Sequence, residues 1–459
     1  MKNFTSFRPH FKIAGSTLVA AFFLCLQACE NIPEEAAPQD AGLTAVSSGA
    51  LSQAEFIDGH YIVVLKEDQT QVNRNVPEGF EQRRQKAKAY GHTILNEKGI
   101  PTQALYSAYS FALSGFAAKL TPAQANTLQA DPRVAYIERD QIVRLIEPLA
   151  RVSTTTDGTT SAEAPPGVTR VGGGTATYTG TKRAYVIDTG ILMFNNSESE
   201  LITHPDLNTE TSRDRTYNAF CDEINPDGSI ETCTETDRYP NDGNGHGTHV
   251  AGTIGAILDS KGVVGVAANA LVVPVKVLGT NGSGSLSNVL EGLDFVHYDG
   301  TAGDVANMSL GASGSTTLDN AVIEVADKGI LFAIAAGNDA RPAKNYSPAR
   351  VNHRNVFTIA AMSTNQLSDG TWSDSWASFS NHGQPPIDYI SPGVNVYSTC
   401  IKVVETADVK SYEPDYASMS GTSMAAPHVA GLLLLNGTAI NTYDKVRRTA
   451  KDVYNVAHK

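Results

Sequence analysis

Short apolar runs alternate with amphipathic, helix-like segments from residue 168 to the end of the chain. The apolar runs are rich in Val, Ile and Ala and are bounded by turn residues, as buried strands are. The pattern predicts strands over 183–187, 270–277, 305–308, 330–335 and 356–361, and helices over 246–258, 286–298, 317–328, 424–435 and 443–453. Such alternation is typical of a parallel sheet covered by helices on both faces. We therefore predict that residues 169–459 form an α/β domain with a doubly wound, mostly parallel sheet.

A smaller domain is predicted ahead of it, over residues 56–147. The pattern predicts strands over 60–66 and 134–145, one bent strand or two over 108–120, and a helix over 80–95. The run Thr-Pro-Ala-Gln that starts at Thr121 has the form of a capping box with proline at the first helical position, so a second helix is expected to begin there. The order βαββαβ is that of a small α+β, ferredoxin-like sandwich.

The first 55 residues have the pattern of an export segment followed by a spacer. Three basic residues precede an apolar run over 13–26, which is too short for a stable membrane span and predicts a signal peptide within residues 1–29. The last four of these residues, LQAC, are similar to a bacterial lipobox, which implies lipidation of Cys29. The alternative is cleavage by an ordinary signal peptidase and full secretion. Residues 30–55 are polar and aperiodic, which predicts a spacer.

The composition of the chain predicts a linker and argues against two kinds of partner. Thr, Ser, Ala, Pro and Gly dominate residues 148–168, which predicts an exposed linker that contains or adjoins a maturation site. The 459 residues include 35 basic and 48 acidic side chains, a net charge of −13, which argues against nucleic acid and anionic membrane surfaces as partners. Membrane attachment is expected only through a lipid. No repeat or coiled coil is found, so we expect a monomer.

Three cysteines lie beyond the export segment. Cys221 and Cys233 flank a polar, turn-rich loop, and in an exported protein they are expected to form a disulfide. The alternative is two free thiols. Cys400 has no base motif beside it, so we predict a buried thiol rather than a nucleophile.

Three glycine-rich windows carry the candidate chemistry. The strand over 183–187 runs into Asp188, His246 begins a Gly- and Ala-rich helix, and Ser423 follows a Gly–Thr turn at the start of a buried helix. The free N–H groups and positive dipole of a helix start suit an oxygen that attacks a carbonyl, and sites in parallel sheets lie beyond the carboxyl ends of the strands. Taken singly, Asp188 could close a turn and Ser423 could cap a helix. His249 is predicted to be structural, because a zinc-protease helix would need i, i+4 spacing and a glutamate.

Asp188, His246 and Ser423 lie in the windows DTG, GHGTHVAG and GTSMAAPHVAG, whose order and neighbours resemble the subtilisin-like serine proteases. The stretches NGSGSLSNVLEGLDFV (281–296), NYSPA (345–349) and FSNHG (379–383) resemble the proteinase K branch. The resemblance covers about residues 165–435, and the domain ahead of it resembles the inhibitory propeptide of these enzymes. It implies a serine endopeptidase that is made as a self-processed zymogen, acts on polypeptides, and has its own propeptide as inhibitor and folding aid.

The resemblance also implies a role for each residue of the site. Ser423 would be the nucleophile, His246 the general base, and Asp188 the group that orients the imidazole. Asn338, at the end of an apolar strand, would stabilise the oxyanion together with the backbone N–H of Ser423. This chemistry needs no cofactor.

Two strand edges would hold an extended substrate, and the residues implied are Gly282, Ser283, Gly284, Ser309, Leu310 and Gly311. The pocket for the side chain before the scissile bond would be walled by residues 309–311 together with Ala335, Ala336 and Gly337. All are small or uncharged, so we expect a broad preference for apolar or aromatic side chains. The alternative is a catalytically silent surface protein that binds peptides in the same cleft, but such a protein need not keep all four site residues.

A structural calcium ion is a further implication of the resemblance. Asp388 matches the carboxylate of the proteinase K calcium site, and the backbone carbonyls of Arg354 and Val356 match its other ligands. Oxygen ligands of this kind suit Ca²⁺. The loop between them departs from the family pattern, and the alternative is an aspartate that closes a turn.

Overall fold

The computed structural model describes residues 54–66, 79–149, 151–153, 164–195, 200–221, 239–405 and 410–459. The predicted signal peptide with Cys29, most of the linker, and Cys233 of the predicted disulfide lie outside the described residues. Those that are described fall within one compact unit. Among them, no helix combines the length and apolar character that a membrane span requires.

The leading part of the chain is an antiparallel sheet with two helices. Its elements are β1 (Phe56–Leu65), α1 (Phe80–Glu97), β2 (Leu105–Tyr109), β3 (Gly115–Lys119), α2 (Pro122–Gln129) and β4 (Val134–Leu145), and the strand order is β4-β1-β3-β2. The predicted βαββαβ order is therefore observed, with two strands rather than one over 108–120. The capping box also forms, because Thr121 Oγ1 accepts the N–H of Gln124 at 3.3 Å and Gln124 Oε1 accepts the N–H of Thr121 at 2.8 Å.

The larger part begins with β5 (Arg151–Ser153), α3 (Pro166–Arg170), β6 (Ala184–Asp188), β7 (Met193–Asn195), β8 (Leu201–Thr203) and β9 (Tyr217–Asn218). It continues with α4 (His246–Gly255), β10 (Val272–Lys276), β11 (Ser283–Ser285), α5 (Leu286–Asp299), β12 (Val305–Met308), β13 (Leu310–Ser313), α6 (Thr316–Asp327) and β14 (Leu331–Ala335). The last elements are β15 (Tyr346–Ser347), β16 (Val356–Gln366), β17 (Trp372–Trp376), β18 (Ile387–Pro392), β19 (Val396–Glu405), β20 (Lys410–Met419), α7 (Thr422–Asn436), β21 (Lys445–Arg447) and β22 (Val453–Asn455).

The central sheet has the order β17-β16-β14-β12-β6-β10-β9, with β18 also paired to β16. Every pairing except that of β17 is parallel. Side chains of β6 alternate between the two faces, because Tyr185 and Ile187 belong to one apolar cluster and Ala184 and Val186 to the other. Helices α5 and α6 cover the first face, and α4 and α7 cover the second. The predicted doubly wound fold is confirmed.

The predicted helix over 443–453 is wrong. This segment forms the antiparallel strands β21 and β22, in which Val446 lies opposite Tyr454. Both side chains and that of Val456 are buried in one small cluster, packed near Trp376. Apolar residues two apart bury one face of a strand, whereas a helix would have scattered them around its circumference.

The cysteine predictions have different outcomes. Cys400 is a buried thiol outside any disulfide, as predicted. Cys221 is disulfide-bonded. Because Cys233 is not among the described residues, its pairing with Cys221 stays a prediction.

Candidate active site

Three elements deliver the site residues to the carboxyl edge of the central sheet. Asp188 is the last residue of β6, His246 is the first residue of α4, and Ser423 is the second residue of α7. Gly421, not Ser423, caps α7. Gly247 can lie against the carbonyl of Gly190 only because it has no side chain, since a Cβ there would meet that oxygen.

Asp188 and His246 form a buried pair. Asp188 Oδ1 lies 2.8 Å from His246 Nδ1, and the side chains are 0% and 1% exposed. Burial lowers the pKa of His246, but the charge and hydrogen bond of Asp188 outweigh it, so the pKa is raised above its ordinary value. Among the described residues, His246 Nε2 has no hydrogen-bond partner. The ring therefore has one nitrogen held by a carboxylate and the other open to receive a proton.

A buried carboxylate that sequence reasoning missed supports the turn before His246. Asp242 is fully buried and accepts the hydroxyl of Thr189 at 2.9 Å, the N–H of Gly245 at 2.8 Å and the N–H of Thr248 at 2.9 Å. These bonds tie the loop after β6 to the start of α4. Its position in a polar run four residues before His246 is the only signal that the sequence offers.

Ser423 and Asn338 both contact the segment that follows β4. The Ser423 hydroxyl donates to the carbonyl of Ile146 at 2.9 Å and lies 3.3 Å from that of Ser309. Asn338 Nδ2 donates to the carbonyl of Glu147 at 2.9 Å. The predicted nucleophile and the predicted oxyanion donor thus contact two successive carbonyls of the protein's own chain.

Thr422 fixes the orientation of the Asn338 amide. Asn338 Oδ1 accepts both the N–H and the hydroxyl of Thr422 at 2.9 Å, and Thr422 Oγ1 accepts the N–H of Gly337 at 3.0 Å. With its oxygen held on this side, the amide presents its N–H₂ group to the cleft. Thr422 was not predicted to have this role, although it lies in the same sequence window as Ser423.

The edges predicted to bind substrate are occupied by β4. This strand lies between β11 and β13, with Arg144 opposite both Ser283 and Gly311. At the end of β4, the N–H of Leu145 donates to the carbonyl of Gly282 at 2.8 Å, and the N–H of the next residue, Ile146, donates to the carbonyl of Ser309 at 3.1 Å. The remaining residues of these edges, Gly284 and Leu310, pair with Val143 and Leu145. Antiparallel pairing of this kind is how an extended peptide would bind to a sheet edge.

The side chain of Ile146 lies in an apolar environment. It is 4% exposed and belongs to the same apolar cluster as Ala335. Ala335 and Ala336 are fully buried, and Gly337 follows them with a positive φ of 105° that glycine adopts without strain.

Helix α5 presents buried acidic side chains to the leading part of the chain. Asp294 accepts the N–H groups of Ser110 at 3.0 Å, Phe111 at 2.6 Å and Ala112 at 2.8 Å, in the loop between β2 and β3. Burial raises the pKa of Asp294 to about 7, although these three N–H groups lower it. Glu291, on the same face, accepts the hydroxyls of Ser107 and Tyr217. Sequence reasoning missed both, and their signal is an acidic pair spaced i, i+3 within an otherwise apolar helix face.

The residues predicted to bind calcium lie on two neighbouring strands. Asp388 is in β18 and Val356 begins β16, two residues after Arg354. The N–H of Thr358 donates to Asp388 Oδ2 at 2.8 Å, and burial raises the pKa of this carboxyl to about 6. Among the described residues, no three acidic, His or Cys side chains are grouped to hold a metal, so a cation here would depend on carbonyl oxygens. One oxygen of the carboxylate accepts the N–H of Thr358, and the carboxylate lies beside the strand that begins at Val356, an arrangement of oxygen ligands that suits a bound cation.

Comparison with known proteins agrees with this geometry. Residues 185–453 match the model of the subtilase family, and residues 60–146 match that of the peptidase inhibitor I9 family. The extracellular serine proteinase of Thermus sp. (strain Rt41A) is 35% identical over 425 residues, which are 90% of this chain and 87% of that protein. Proteinase R of Parengyodontium album is 33% identical over 368 residues, 76% of this chain and 78% of that protein, in keeping with the predicted proteinase K-type branch.

The fold also matches a solved structure. Fervidolysin from Fervidobacterium pennivorans, a keratinolytic enzyme related to subtilisin, superposes with a TM-score of 0.54 at 21% identity. The match covers 83% of this chain and 54% of that one, and at this identity it bears on the fold alone. Family models and relatives together cover both parts of the chain. The chain therefore belongs to the subtilase family of serine endopeptidases and carries an I9-type inhibitory propeptide ahead of its peptidase domain.

Proposed function

We propose that this protein is an exported endopeptidase that cuts its own chain between Ile146 and Glu147 and stays inhibited until the leading domain departs. The observation that carries the proposal is the position of this segment. Ile146 donates its N–H to Ser309, buries its side chain, and has its carbonyl on the Ser423 hydroxyl. The next bond precedes Pro148, whose nitrogen carries no hydrogen for the sheet edges to bind.

The chemistry follows from the contacts. The Ser423 oxygen attacks the carbonyl carbon of Ile146 and passes its proton to His246 Nε2, while Asp188 stabilises the imidazolium. The oxyanion is held by the Ser423 N–H and by the Asn338 amide. To reach it, this amide shifts from the carbonyl oxygen of Glu147 to that of Ile146. His246 then protonates the departing Glu147 amine, and water releases the acyl group.

Three measurements test this proposal. A Ser423→Ala chain should stay at precursor length, and a fluorophosphonate should label the unaltered protein at Ser423. N-terminal sequencing of the processed protein should begin at Glu147. The control is Ser375→Ala, which removes an exposed hydroxyl on β17 and should process normally. Normal processing of Ser423→Ala in a host without proteases would overturn self-cleavage, and an unlabelled Ser423 would favour a catalytically silent peptide-binding protein.

For substrates, we propose a broad preference for apolar or aromatic side chains before the scissile bond. The buried environment of Ile146 and the uncharged residues of the predicted pocket support it. A charged side chain there would lose its hydration without an opposite charge in return. Cleavage-site mapping on a peptide library tests the preference, and strict selection of Arg or Lys contradicts it.

For location, we propose export with a lipid on Cys29. The export pattern of residues 1–29 supports it, and the similar serine proteinase of Thermus is an extracellular enzyme. A Cys29→Ser chain should lose incorporation of labelled fatty acid and leave the membrane fraction. If the unaltered chain incorporates no fatty acid, the protein is released rather than anchored.

We also propose a structural calcium ion bound by Asp388 and the carbonyls of Arg354 and Val356. The half-buried carboxylate of Asp388, whose Oδ2 accepts the N–H of Thr358, supports the proposal. Calcium should raise the thermal midpoint of the unaltered protein and EDTA should lower it, whereas Asp388→Asn should respond to neither. Equal midpoints in calcium and EDTA for the unaltered protein would count against the site.

A further inference from the structure

The hairpin that precedes Ser423 has a second, occupied edge. Strands β19 and β20 are ten residues each and pair along their full length, from Val396 opposite Met419 to Glu405 opposite Lys410. The other edge of β20 pairs antiparallel with β5, giving the order β19-β20-β5. In that ladder Met419, Ser418 and Ala417 lie opposite Arg151, Val152 and Ser153.

The chain on this edge is the continuation of the segment in the cleft. The carbonyl of Glu147 lies on Asn338, and the N–H of Leu149 then donates to the carbonyl of Ser420 at 2.8 Å. The β5 pairings follow directly. One extended stretch of chain is therefore held by sheet edges on both sides of the proposed scissile bond: by β11 and β13 before it, and by β20 after it.

The hydrogen bonds that hold the chain after the scissile bond join backbone groups. The side chain of Val152 is 57% exposed, so it contributes little buried surface. Backbone pairing along a strand edge accepts almost any sequence, because every residue except proline offers one N–H and one C=O. Once β5 leaves, that edge offers unpaired groups to another strand.

We propose that the edge of β20 over residues 417–419 is a binding site for a distal part of a polypeptide substrate, about five to seven residues beyond the scissile bond. Its ligand is an extended chain that reaches about seven residues beyond the bond, as Ser153 does from Ile146. The proposal rests on the proposed function, because it assumes that a substrate binds in the same way as the protein's own segment around Ile146. It makes the enzyme a better catalyst on long chains than on short peptides.

The test uses peptides with the chain's own sequence and the processed enzyme, prepared from the full chain and freed of its leading domain. One peptide covers residues 141–149 and the other residues 141–153. The longer peptide should have a kcat/KM about tenfold higher, since it adds roughly two backbone hydrogen bonds. Ala in place of Val152 in the longer peptide should change little, because the side chain is exposed.

Backbone N-methylation gives the matched control. Arg151, Val152 and Ser153 of the longer peptide are methylated singly, which removes one N–H without altering the side chain. Alternate residues of a strand face the same neighbour, so the gain should disappear at alternate positions and persist at the position between them.

Each outcome has one meaning. Equal kcat/KM for the two peptides would overturn the inference. It would indicate that the N-terminal segment of the processed enzyme stays paired with the edge of β20. A gain that all three methylations reduce equally would also overturn it, since a ladder requires alternation. Cleavage of the shorter peptide establishes the proposed endopeptidase activity independently. Failure to cleave either peptide would contradict the proposed function, and the inference with it.

Discussion

At the scale of single residues, the site depends on a charge that is kept out of water. Asp188 and His246 are almost fully buried, and the carboxylate holds the pKa of the imidazole above its ordinary value. A protonated imidazole cannot accept the Ser423 proton. The acid limit of the activity is therefore set by how strongly Asp188 stabilises that protonated form.

The first prediction concerns pH. Because the pKa of His246 is raised, kcat/KM should fall as pH decreases through a value above the 6.5 of a free imidazole. Asp188→Asn should lower kcat by about 10⁴-fold and move the acid limb to lower pH. Stopped-time assays with a chromogenic peptide from pH 5 to 10 measure both. Asp369→Asn, an exposed turn carboxylate, is the control and should leave the profile unchanged. An acid limb that stays in place in Asp188→Asn would contradict the assigned coupling.

The second prediction concerns the oxyanion donor and its support. Asn338→Ala should lower kcat by about 10²–10³-fold with little change in KM, because the lost bond acts mainly in the transition state. Thr422→Val keeps the backbone N–H that Asn338 accepts but removes the hydroxyl, and should lower kcat by about tenfold. Thr422→Ser should restore it. If Thr422→Ser is as slow as Thr422→Val, the methyl group rather than the hydroxyl positions the amide.

At the scale of elements, α5 joins the two parts of the chain through carboxylates. The pKa of Asp294 is raised to about 7 while the leading domain is docked, and once that domain departs the exposed carboxyl of α5 would have its ordinary pKa of about 4. A pKa raised in the docked state stabilises docking at low pH, and this contribution is lost as pH rises through about 7.

The third prediction follows from that sign. The fraction of processed leading domain that co-elutes with the peptidase domain in gel filtration should fall between pH 6 and pH 8. Asp294→Asn, which cannot titrate, should flatten this change. Asp327→Asn, an exposed acid at the end of α6, is the control. A pH dependence that persists unaltered in Asp294→Asn would assign the effect to other groups.

Local patterns were enough to predict most elements, and they marked the positions to which the family resemblance assigns the four predicted site residues. The apolar strand that ends in Asp188 and the glycine-rich starts of α4 and α7 are short-range signals. Asp242, Thr422 and Asp294 act through partners far along the chain or through loops without periodicity, so no local pattern marks them. The strands β21 and β22 were predicted as a helix because their burial depends on Trp376 and other distant residues.

At the scale of the whole molecule, the two parts share one apolar core. Tyr109, Leu113 and Val143 of the leading part belong to the same cluster as Leu286 and Leu290 of α5. Removing the leading part before folding would expose this face of α5 to water and would leave Asp294 without its N–H partners.

The fourth prediction is that the peptidase domain folds poorly alone. Residues 147–459 refolded from denaturant should yield under one tenth of the activity recovered from the full chain, roughly what an added folding cost above 1.4 kcal/mol would produce. Adding residues 56–146 as a separate chain should restore activity after that chain is digested. Equal recovery with and without it would show that the shared core is not needed for folding.

Strand β4 belongs to both parts of the molecule at once: its residues 134–141 pair with β1, and its residues 142–145 pair with β11 and β13. Removing this strand from the substrate-binding cleft therefore also unfolds the inhibitory domain. The unfolded domain can then be digested by any enzyme molecule that is already active. The first active molecules would digest the inhibitory domains of the others. The activity of a precursor solution should therefore rise after a lag, and the lag should be shorter at higher protein concentration.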